Sequence, residues 1–447
     1  MDKSLKKRNN WLYKGKIVME IKKGKAIINN GTGLFPLAWI GSGMASKGRL
    51  TKLILAGYPT KSVTDIFFKV GIINNLFSRL LGRKLEISED LIQTSWVAEL
   101  FYQLAHLMRG KKGFGSVYQL VEYCSHLFIE WNAYREIKNI GTDTLVYHCR
   151  AGFGGISLKE AKKKNLVTIC HHTLAHPLVL DYLINNRGGK PSRSVIEAAK
   201  NNLSMTWNKV LSDIDSADFV LIESEFQLET FKWVGFDVKK VVSINHPGID
   251  PFFRALISDR QEVDVKQSPK ILYAGSLNKR KGADELQELI EITSDIDAEI
   301  NIAGLIDATS KQNYQRLLKN PRVNILGVLS RSELAETMGQ HDILVLLSYA
   351  EGSPRSVLEA MGCGCVIFTT PNSGTPVKHL ENGWVSEPGN LLQIEKNYRH
   401  MMSSRHLWHE MKVKNAELAI KYFTPEKYFG ELETLYDRVS NQKEISL

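Results

Sequence analysis

The sequence predicts an α/β protein built from repeated strand–helix units around parallel sheets. The clearest unit begins with an apolar run from Asp342 to Ser348, continues through a loop and a helix, and ends with a second apolar run from Val366 to Thr370. Continuous Val, Ile and Leu without alternation is typical of parallel strands that are buried on both faces. Similar units recur along the 447 residues, a length that suits two or three domains.

The loop after the first strand of this unit is a candidate binding site, because open α/β sheets bind ligands at the carboxyl ends of their strands. We expect Ser353 to cap the following helix and Pro354 to occupy its first position. The free N–H groups of that helix end would favour a phosphate. Glu351 and Glu359 bracket it. A diphosphate with a diol on each side, as in a nucleotide sugar, would suit this arrangement.

The segment EGSPRSVLEAMGCGCVI resembles the Glu-x7-Glu signature of glycosyltransferase family 4, whose members are retaining enzymes of GT-B fold. Cys365 replaces the proline that the family pattern has near its end. The resemblance implies two Rossmann-like, doubly wound domains that face a central cleft. It implies that Glu351 lies along the donor sugar and that Glu359 holds the ribose diol. The alternative is that Arg355 and Glu359, four residues apart, merely form a solvated ion pair.

Composition narrows the class of protein. A formal net charge of +10 with 43% hydrophobic residues suits a globular protein with anionic partners. The cysteines lack a C-x-x-C pattern with histidine partners, which indicates reduced thiols. No apolar run approaches the ~20 residues that span a bilayer, and the lysine-rich start lacks the apolar core of a signal peptide. We therefore expect a cytoplasmic protein, peripheral on the inner face of the membrane in one hypothesis.

Two N-terminal segments support that hypothesis. Residues 1–25 interleave basic side chains with Trp11 and Tyr13, and residues 65–85 place apolar side chains at helical spacing between cationic flanks. Both patterns suit an anionic membrane surface as a partner. A solvated terminus and ordinary core packing are the alternatives.

The first domain is expected to span residues 1–245 and to supply the acceptor side. Its predicted strands alternate with helices, two of which are expected at residues 91–108 and 117–138. By resemblance, the turn containing Gly31 and Gly33 faces the cleft. Residues 185–202 are expected to form a loop. The D-x-D that begins at Asp213 is expected to belong to a helix and its cap and not to a metal site.

Three histidines follow the predicted strand at residues 166–170, namely His171, His172 and His176. The carboxyl end of a parallel strand would direct them into the crevice, and histidine suits polar chemistry near neutral pH. The family places a histidine here against the donor sugar, and this alignment implies His171, with His172 as the alternate. Structural histidines are the competing interpretation.

The second domain is expected to span residues 246–424 and to bind the nucleotide sugar, with a final helix at about 425–447 that packs back on the first domain. The run from Gly275 to Gly282 resembles the family's G-R-L-x-x-x-K-G, which supplies an arginine and a lysine to the diphosphate. Lys281 matches the lysine, whereas Ser276 occupies the arginine position. Arg280 or Lys279 would then compensate, although lysine lacks the arginine fork. A solvated basic loop is the alternative.

These features predict a retaining glycosyltransferase that moves a hexose-type sugar from a nucleotide sugar to a saccharide or lipid-linked acceptor, in bacterial surface polysaccharide or glycolipid synthesis. No metal or other cofactor is expected, because preorganised donors would stabilise the leaving group. No nucleic acid partner is expected. The alternatives are a glycoside hydrolase and a non-catalytic GT-B-like partner or sugar-binding protein. The predicted site residues are, as catalytic groups, Glu351, His171 and Lys281; on the donor, Glu359, Gly352, Ser353, Pro354, Arg355, Ser276, Arg280, Gly374 and Thr375; and on the acceptor side, Gly31, Gly33 and His172.

Overall fold

The computed structural model describes residues 24–33, 36–70, 81–108, 115–245, 251–253 and 267–445. These residues form two α/β domains, each around one parallel sheet, so the predicted doubly wound α/β class is confirmed. Residues 1–23 and 71–80, which carry much of the predicted membrane-surface pattern, lie outside the described residues, as do residues 246–250 at the predicted boundary between the domains.

The first sheet has the strand order β3-β2-β1-β4-β5-β6-β7. Chain order reverses between β1 and β4, which is the switch point where doubly wound sheets open a crevice at their carboxyl edge. Its strands are β1 Lys25–Gly31, β2 Leu50–Leu55, β3 Ile92–Thr94, β4 Thr144–Arg150, β5 Val167–His171, β6 Phe219–Ile222 and β7 Val241–Ser243. Its helices are α1 Pro36–Ser46, α2 Lys61–Val70, α3 Trp96–Met108, α4 Gly115–Lys138, α5 Gly155–Lys163, α6 Pro177–Asn185, α7 Arg193–Lys200, α8 Met205–Ser216 and α9 Glu225–Trp233.

Two cores cover the two faces of this sheet. Successive residues of β1 point to opposite faces, so Ile28 packs with Leu37 of α1 while Ile27 packs with Ile137 of α4. Burial on both faces explains why β1 carries apolar residues at neighbouring positions.

Two segments of the first domain differ from the expectations. Residues 92–94 form an edge strand and not the start of a helix, because Ile92 and Thr94 pair with Leu53 and Leu55 of β2. Residues 185–202 contain the helix α7 and are not a continuous loop. The glycines and proline end at Pro191, and the following run of helix-forming residues buries Ile196.

The second sheet has the order β10-β9-β8-β11-β12-β13, with its switch point between β8 and β11. Its strands are β8 Lys270–Ala274, β9 Glu299–Ala303, β10 Val323–Gly327, β11 Ile343–Leu346, β12 Val366–Thr369 and β13 Gly383–Val385. Its helices are α10 Ala283–Ile292, α11 Ala308–Asn313, α12 Gln315–Leu318, α13 Arg331–Gly339, α14 Arg355–Gly362, α15 Leu391–Ser403 and α16 Trp408–Tyr422. All four residues of the central strand β11 are buried.

The last helix, α17 Pro425–Ile445, follows the second domain in sequence and packs on the first. Leu432 and Tyr436 are buried in the same core as Ile28. The hydroxyl of Tyr436 lies 2.8 Å from Nδ1 of the buried His148. The core of the first domain therefore includes side chains from both ends of the chain.

We predict that Leu432→Ala lowers the free energy of unfolding by about 2–5 kcal/mol, because it leaves a cavity in a closed core. Leu392→Ala is the matched control, since Leu392 is 81% exposed; its effect should stay within about 0.5 kcal/mol. Urea unfolding of both variants measures this. Equal stability of the two variants would contradict a structural role for α17.

Candidate active site

A buried carboxylate paired with two cations lies at the carboxyl end of β11. Glu351 is only 7% exposed, and its Oε1 lies 2.7 Å from Nη1 of Arg280 and 3.0 Å from Nζ of Lys281. Burial acts to raise the pKa of Glu351, but the charges of Lys281 and Arg280 outweigh it and hold that pKa below its ordinary value. Glu351 is therefore an ionised carboxylate near neutral pH.

The two cations are positioned by a short 3₁₀ turn over Lys279–Lys281 that follows β8. The side chain of Asn278 caps this turn by accepting from the N–H of Lys281 at 3.1 Å. Arg280 links the turn to the loop after β11: its carbonyl accepts from the N–H of Tyr349 at 2.9 Å, and its Nη1 donates to the carbonyl of Ala350 at 3.0 Å. These bonds place the turn that carries the two cations next to the loop that carries Glu351.

Gly282 ends the turn in the left-handed region, at φ 75°. A Cβ there would lie 2.1 Å from the carbonyl oxygen of Leu347, so only glycine allows this approach.

Ser276, the residue at the family's arginine position, is exposed, and its carbonyl accepts from Tyr273 at 3.0 Å. A guanidinium beside Glu351 comes from Arg280 instead. The substitution at position 276 therefore does not leave the group around Glu351 without an arginine.

The helix after Glu351 begins later than the sequence suggested. Ser353 is not the N-cap: Pro354 occupies that position with extended backbone, and α14 starts at Arg355 without a side-chain cap. The first turn of α14 therefore begins at Arg355.

Glu359 is also buried, at 2% exposure. Its Oε1 lies 2.7 Å from Nε of Arg355 and 2.6 Å from Nη2 of Arg331. The pair with Arg355 exists, but a buried carboxylate shared by two arginines is not a solvated surface pair. Arg331, whose guanidinium lies 4.5 Å from the ring centre of Phe253, was missed because only the sheet topology brings α13 next to α14.

Two glycines form a close backbone contact between the domains. A Cβ on Gly352 would lie 2.2 Å from the carbonyl oxygen of Thr173, and one on Gly374 would lie 2.0 Å from that of Gly352 and 2.6 Å from Oγ of Ser224. Thr375 lies beside this contact, with its hydroxyl 3.2 Å from that of Ser373. Predicted donor-side residues thus contact the first domain directly.

Asn372 forms hydrogen bonds across the same contact between the domains. Its Nδ2 donates to the carbonyls of Gly188 in the first domain and Tyr349 in the second, at 3.0 and 2.9 Å. Its own carbonyl accepts from the N–H of Glu351 at 3.0 Å. The backbone of Glu351 is therefore tied to the contact between the domains.

The three histidines near the end of β5 are buried and do not line an open crevice. His171 lies between His148, at 5.4 Å between ring centres, and Glu223, whose Oε1 is 3.4 Å from its Nε2. Within the described part of the chain neither ring nitrogen of His171 has a hydrogen-bond partner. His171 and Glu351 thus make their contacts in separate groups.

His172 and His176 fit the structural interpretation better than His171 does. Nε2 of His172 lies 3.0 Å from the carbonyl oxygen of Ala175. His176 caps α6 by accepting from the N–H of Leu178 at 3.3 Å. Burial lowers the pKa of His172 to about 4 and that of His176 to about 3, so both are neutral near pH 7.

The glycine turn on the acceptor side is closely packed. Gly31, at φ 77°, would place a Cβ 2.6 Å from the ring of Phe153, and Gly33 would place one 3.2 Å from the hydroxyl of Tyr102. Nη1 of Arg150 donates to the carbonyl of Thr32 at 3.1 Å. Arg150 is a cation at this edge that sequence reasoning did not identify.

Asp213 organises the neighbouring loop after β4. Its carboxylate accepts from the N–H groups of Gly152, Gly154 and Gly155 at 2.7–2.8 Å. Burial raises the pKa of Asp213, although these three bonds act to lower it. The D-x-D lies in α8, and in the residues described here no three His, Cys, Asp or Glu side chains are grouped as a metal site would need.

Part of the chain is similar in sequence to known transferases. Residues 257–418, which include Lys281, Glu351 and Glu359, match the family model for glycosyl transferases group 1. The chain is 26% identical over 191 residues to N-acetyl-alpha-D-glucosaminyl L-malate synthase of Bacillus anthracis, covering 41% of this chain and 50% of that protein. It is 25% identical over 229 residues to N,N'-diacetylbacillosaminyl-diphospho-undecaprenol alpha-1,3-N-acetylgalactosaminyltransferase of Campylobacter jejuni, covering 48% of this chain and 59% of that protein. The chain thus spans about half the length of these relatives.

The fold has solved counterparts. Anabaena HepE in complex with UDP and glucose superposes with a TM-score of 0.57 at 16% identity, covering 92% of this chain and 99% of that one. At this identity the likeness shows the fold alone, which is the GT-B arrangement of two Rossmann-like domains.

We predict that Asp213→Ala lowers the free energy of unfolding by at least about 3 kcal/mol, because it leaves three buried N–H groups without their acceptor. Asp215→Ala is the matched control in the same D-x-D, since Asp215 is exposed, and should change it by less than about 0.5 kcal/mol. Chemical denaturation of both variants measures the difference. Similar losses for the two would contradict the loop-anchoring role.

We predict that the protein loses stability as the pH falls from 6.5 towards 4. Burial lowers the pKa of His126 and His176 to about 3 and that of His172 to about 4, from an ordinary value of 6.5. The unfolded chain therefore binds more protons than the folded chain in this window. The contribution of these three histidines to the free energy of unfolding is complete above pH 6.5 and declines below it.

Melting temperatures across this pH range test the effect. His176→Asn keeps a good N-cap residue but removes the titrating ring, so its melting temperature should fall less on acidification. A decline as steep as in the unmodified protein would exclude His176 as a contributor.

Proposed function

We propose that this protein is a retaining glycosyltransferase that moves a hexose-type sugar from a nucleotide sugar to an acceptor hydroxyl. The observation that carries the proposal is the ionised Glu351, held by Arg280 and Lys281 at the carboxyl edge of a Rossmann-like sheet. The match of this domain to glycosyl transferases group 1 and the Glu-x7-Glu resemblance to family 4 support it.

The donor would lie along the strand ends of the second domain. Lys281, Arg280 and the N-terminal end of α14 would receive the diphosphate, because positive side chains and the positive end of a helix dipole favour phosphate oxygens. Glu359, fixed by Arg331 and Arg355, would accept the ribose hydroxyls. The N–H groups around Gly374 and Thr375 would complete the diphosphate site.

Arg280 and Lys281, the two cations beside Glu351, would stabilise the leaving diphosphate. A buried carboxylate attracts both of them before substrate binds, so they are prearranged for the charge that develops on the leaving diphosphate. When they turn to phosphate oxygens, Glu351 is released to accept sugar hydroxyls. It would also stabilise the positive charge at the anomeric carbon.

The transfer step conserves configuration when the acceptor attacks from the face that the diphosphate leaves. The bond from the anomeric carbon to the diphosphate oxygen breaks, and a bond to the acceptor oxygen forms on the same side. The proton of the acceptor hydroxyl passes to the departing diphosphate oxygen. In this route the chain itself supplies positioning and charge, and no metal or other cofactor is part of the proposal.

In this proposal His171 does not contact the donor sugar, as the family resemblance implied, but supports a neighbouring loop. Buried beside Glu223, it would support the loop that carries Thr173 to Gly352 and act on the donor through that loop. Gly31, Gly33 and His172 belong to the acceptor side of the same cleft.

The name of one relative supports the acceptor class that we propose. The name of the Campylobacter jejuni relative contains a diphospho-undecaprenol acceptor. A saccharide or lipid-linked acceptor in bacterial surface polysaccharide or glycolipid synthesis is therefore part of the proposal, with action at the cytoplasmic face of an anionic membrane. Among the described helices, none is both long and apolar enough to cross a membrane.

Release of nucleoside diphosphate from a panel of nucleotide sugars tests the proposal. Glu351→Gln should lower turnover about 100-fold or more by removing the charge that faces the sugar. Glu359→Gln should mainly raise the KM for the donor. Glu410→Gln is the control, since Glu410 is an exposed glutamate of the same domain, and should behave like the unmodified protein.

A folded protein that releases nucleotide from no donor would favour a non-catalytic sugar-binding or partner role. Cleavage of a glycoside without any nucleotide would favour a hydrolase. Unchanged turnover in Glu351→Gln would overturn the role given to that carboxylate.

A further inference from the structure

A short segment of the first domain, Arg187 and Gly188, lies in a notch of the second domain. The segment follows α6, and the side chains of Glu285 and Glu288 on α10 form one side of the notch. Nη1 of Arg187 lies 3.8 Å from Oε1 of Glu285, and its Nη2 lies 3.4 Å from Oε1 of Glu288. One arginine of the first domain thus pairs with two carboxylates of the second.

The other side of the notch fits the backbone of this segment closely. Gly188 has φ 84°, and a Cβ there would lie 2.5 Å from Cγ of Pro388. A Cβ on Gly389 would lie 2.3 Å from Cβ of Arg187. Arg187 itself has φ 50°, in the left-handed region that residues other than glycine seldom adopt. Such backbone persists where the surrounding contacts hold it, as the notch does here.

Glu285 is a buried carboxylate at the centre of this contact. It is fully buried, and its Oε1 also accepts a hydrogen bond from the hydroxyl of Tyr349. Burial raises the pKa of Glu285, whereas the bond from Tyr349 and the charge of Arg187 act to lower it. A carboxylate removed from water is stabilised by a cation and by donors to its oxygens. Arg187 and Tyr349 supply these to the same oxygen atom.

Tyr349 connects this contact to the loop of Glu351, which it precedes by two residues. Its carbonyl accepts from Nδ2 of Asn372, whose own carbonyl accepts from the N–H of Glu351. Ala350, between the two, is buried in a cluster with Leu178 of α6 in the first domain. The loop that carries Glu351 is therefore held partly by its own domain and partly by the first.

We propose that Arg187 is a positioning residue, which fixes the loop of Glu351 only while the two domains are in contact. When the domains separate, Arg187 leaves Glu285, and Ala350 leaves its cluster in the first domain. Tyr349 then keeps a carboxylate partner that has lost this cation. The loop loses two supports together, so Glu351 is held in place only in the closed arrangement.

This dependence has a use in a transferase. If Glu351 stayed in position in an open, water-filled cleft, the enzyme would lose its donor to hydrolysis, a side reaction that closure prevents. That the loop acts on a donor sugar rests on the proposed function. The positioning of the loop by Arg187 does not.

Hydrogen–deuterium exchange of the full chain, without substrate, tests the positioning. In Arg187→Ala the amides of residues 347–353 should exchange about tenfold faster than in the unmodified chain, because a charge-assisted contact that holds the loop is lost. The alanine keeps the Cβ that lies beside Gly389, so the variant removes only the rest of the side chain.

Two further variants separate charge from shape. Glu285→Gln should speed exchange of the same amides, since glutamine keeps an acceptor for Tyr349 but removes the charge that Arg187 faces. Arg187→Lys should give a smaller change than Arg187→Ala, because lysine keeps the charge without the planar fork.

Arg193→Ala is the matched control. The side chain of Arg193 is 95% exposed and lies 4.0 Å from Glu197 on its own helix. Exchange of residues 347–353 in this variant should equal that of the unmodified chain. Arg187→Ala and Arg193→Ala should both keep the melting temperature of the unmodified chain.

Nucleotide release from a nucleotide sugar provides a second readout. Arg187→Ala should lower kcat about tenfold and leave the KM for the donor within about twofold, because the loop is misplaced while the donor contacts remain. Arg193→Ala should change neither. A chain that releases nucleotide from no donor, with the exchange result as expected, would count against the proposed function and leave the positioning supported.

Three results would overturn the positioning. One is equal exchange of residues 347–353 in Arg187→Ala and in the unmodified chain. Another is faster exchange throughout both domains, which would mean that Arg187 stabilises the fold as a whole. The third is a raised KM with an unchanged kcat, which would give Arg187 a role in donor binding instead.

Discussion

The structure of the cleft depends on the burial of one carboxylate. An ionised side chain removed from water costs several kcal/mol unless it is paired, and Glu351 meets this cost with two cations on the same oxygen. The pairing explains why the basic turn after β8 must contact the loop after β11, and why Gly282, which lacks a side chain, lies between them. Separate hydrogen bonds through Asn372 tie the loop of Glu351 to the first domain. The electrostatic requirement thus links the turn to the loop, and Asn372 links the loop to the contact between the domains.

Most of the fold could be predicted from the sequence. Buried parallel strands carry continuous apolar runs, so the region from Asp342 to Thr370 was recognisable as a strand, a helix and a strand. The edge strand Ile92–Thr94 was not, because three residues give no periodicity and pairing with β2 decides their conformation. The start of α14 was placed too early because Ser353 is a good capping residue by type, whereas Pro354 has extended backbone in the structure and the helix starts at Arg355.

The candidate site was predictable only in part, since sequence spacing describes neighbours within one element. Glu351, Lys281 and Arg280 were found through a motif, and the structure brings them together. Arg331 and Asp213 act on residues far away in sequence, and no local pattern indicates that Arg331 meets Glu359 or that Asp213 binds three glycine N–H groups. For the histidines, sequence position indicates less than the structure shows. The carboxyl end of a strand directs residues towards a crevice, whereas His171, His172 and His176 are all buried.

Because α17 packs on the first domain, the core of that domain is completed only after the second domain has been synthesised. Side chains of α1 and β1 are made early, yet the core that buries them also needs Leu432 and Tyr436, which follow the whole second domain in sequence. Domains generally fold as units while the chain is made, but this one remains incomplete until α17 has been made. The second domain, whose core lies within a continuous stretch of chain, finishes first although it starts later. The nascent first domain therefore exposes apolar surface for most of its synthesis, which makes it the half of the molecule that most needs a chaperone.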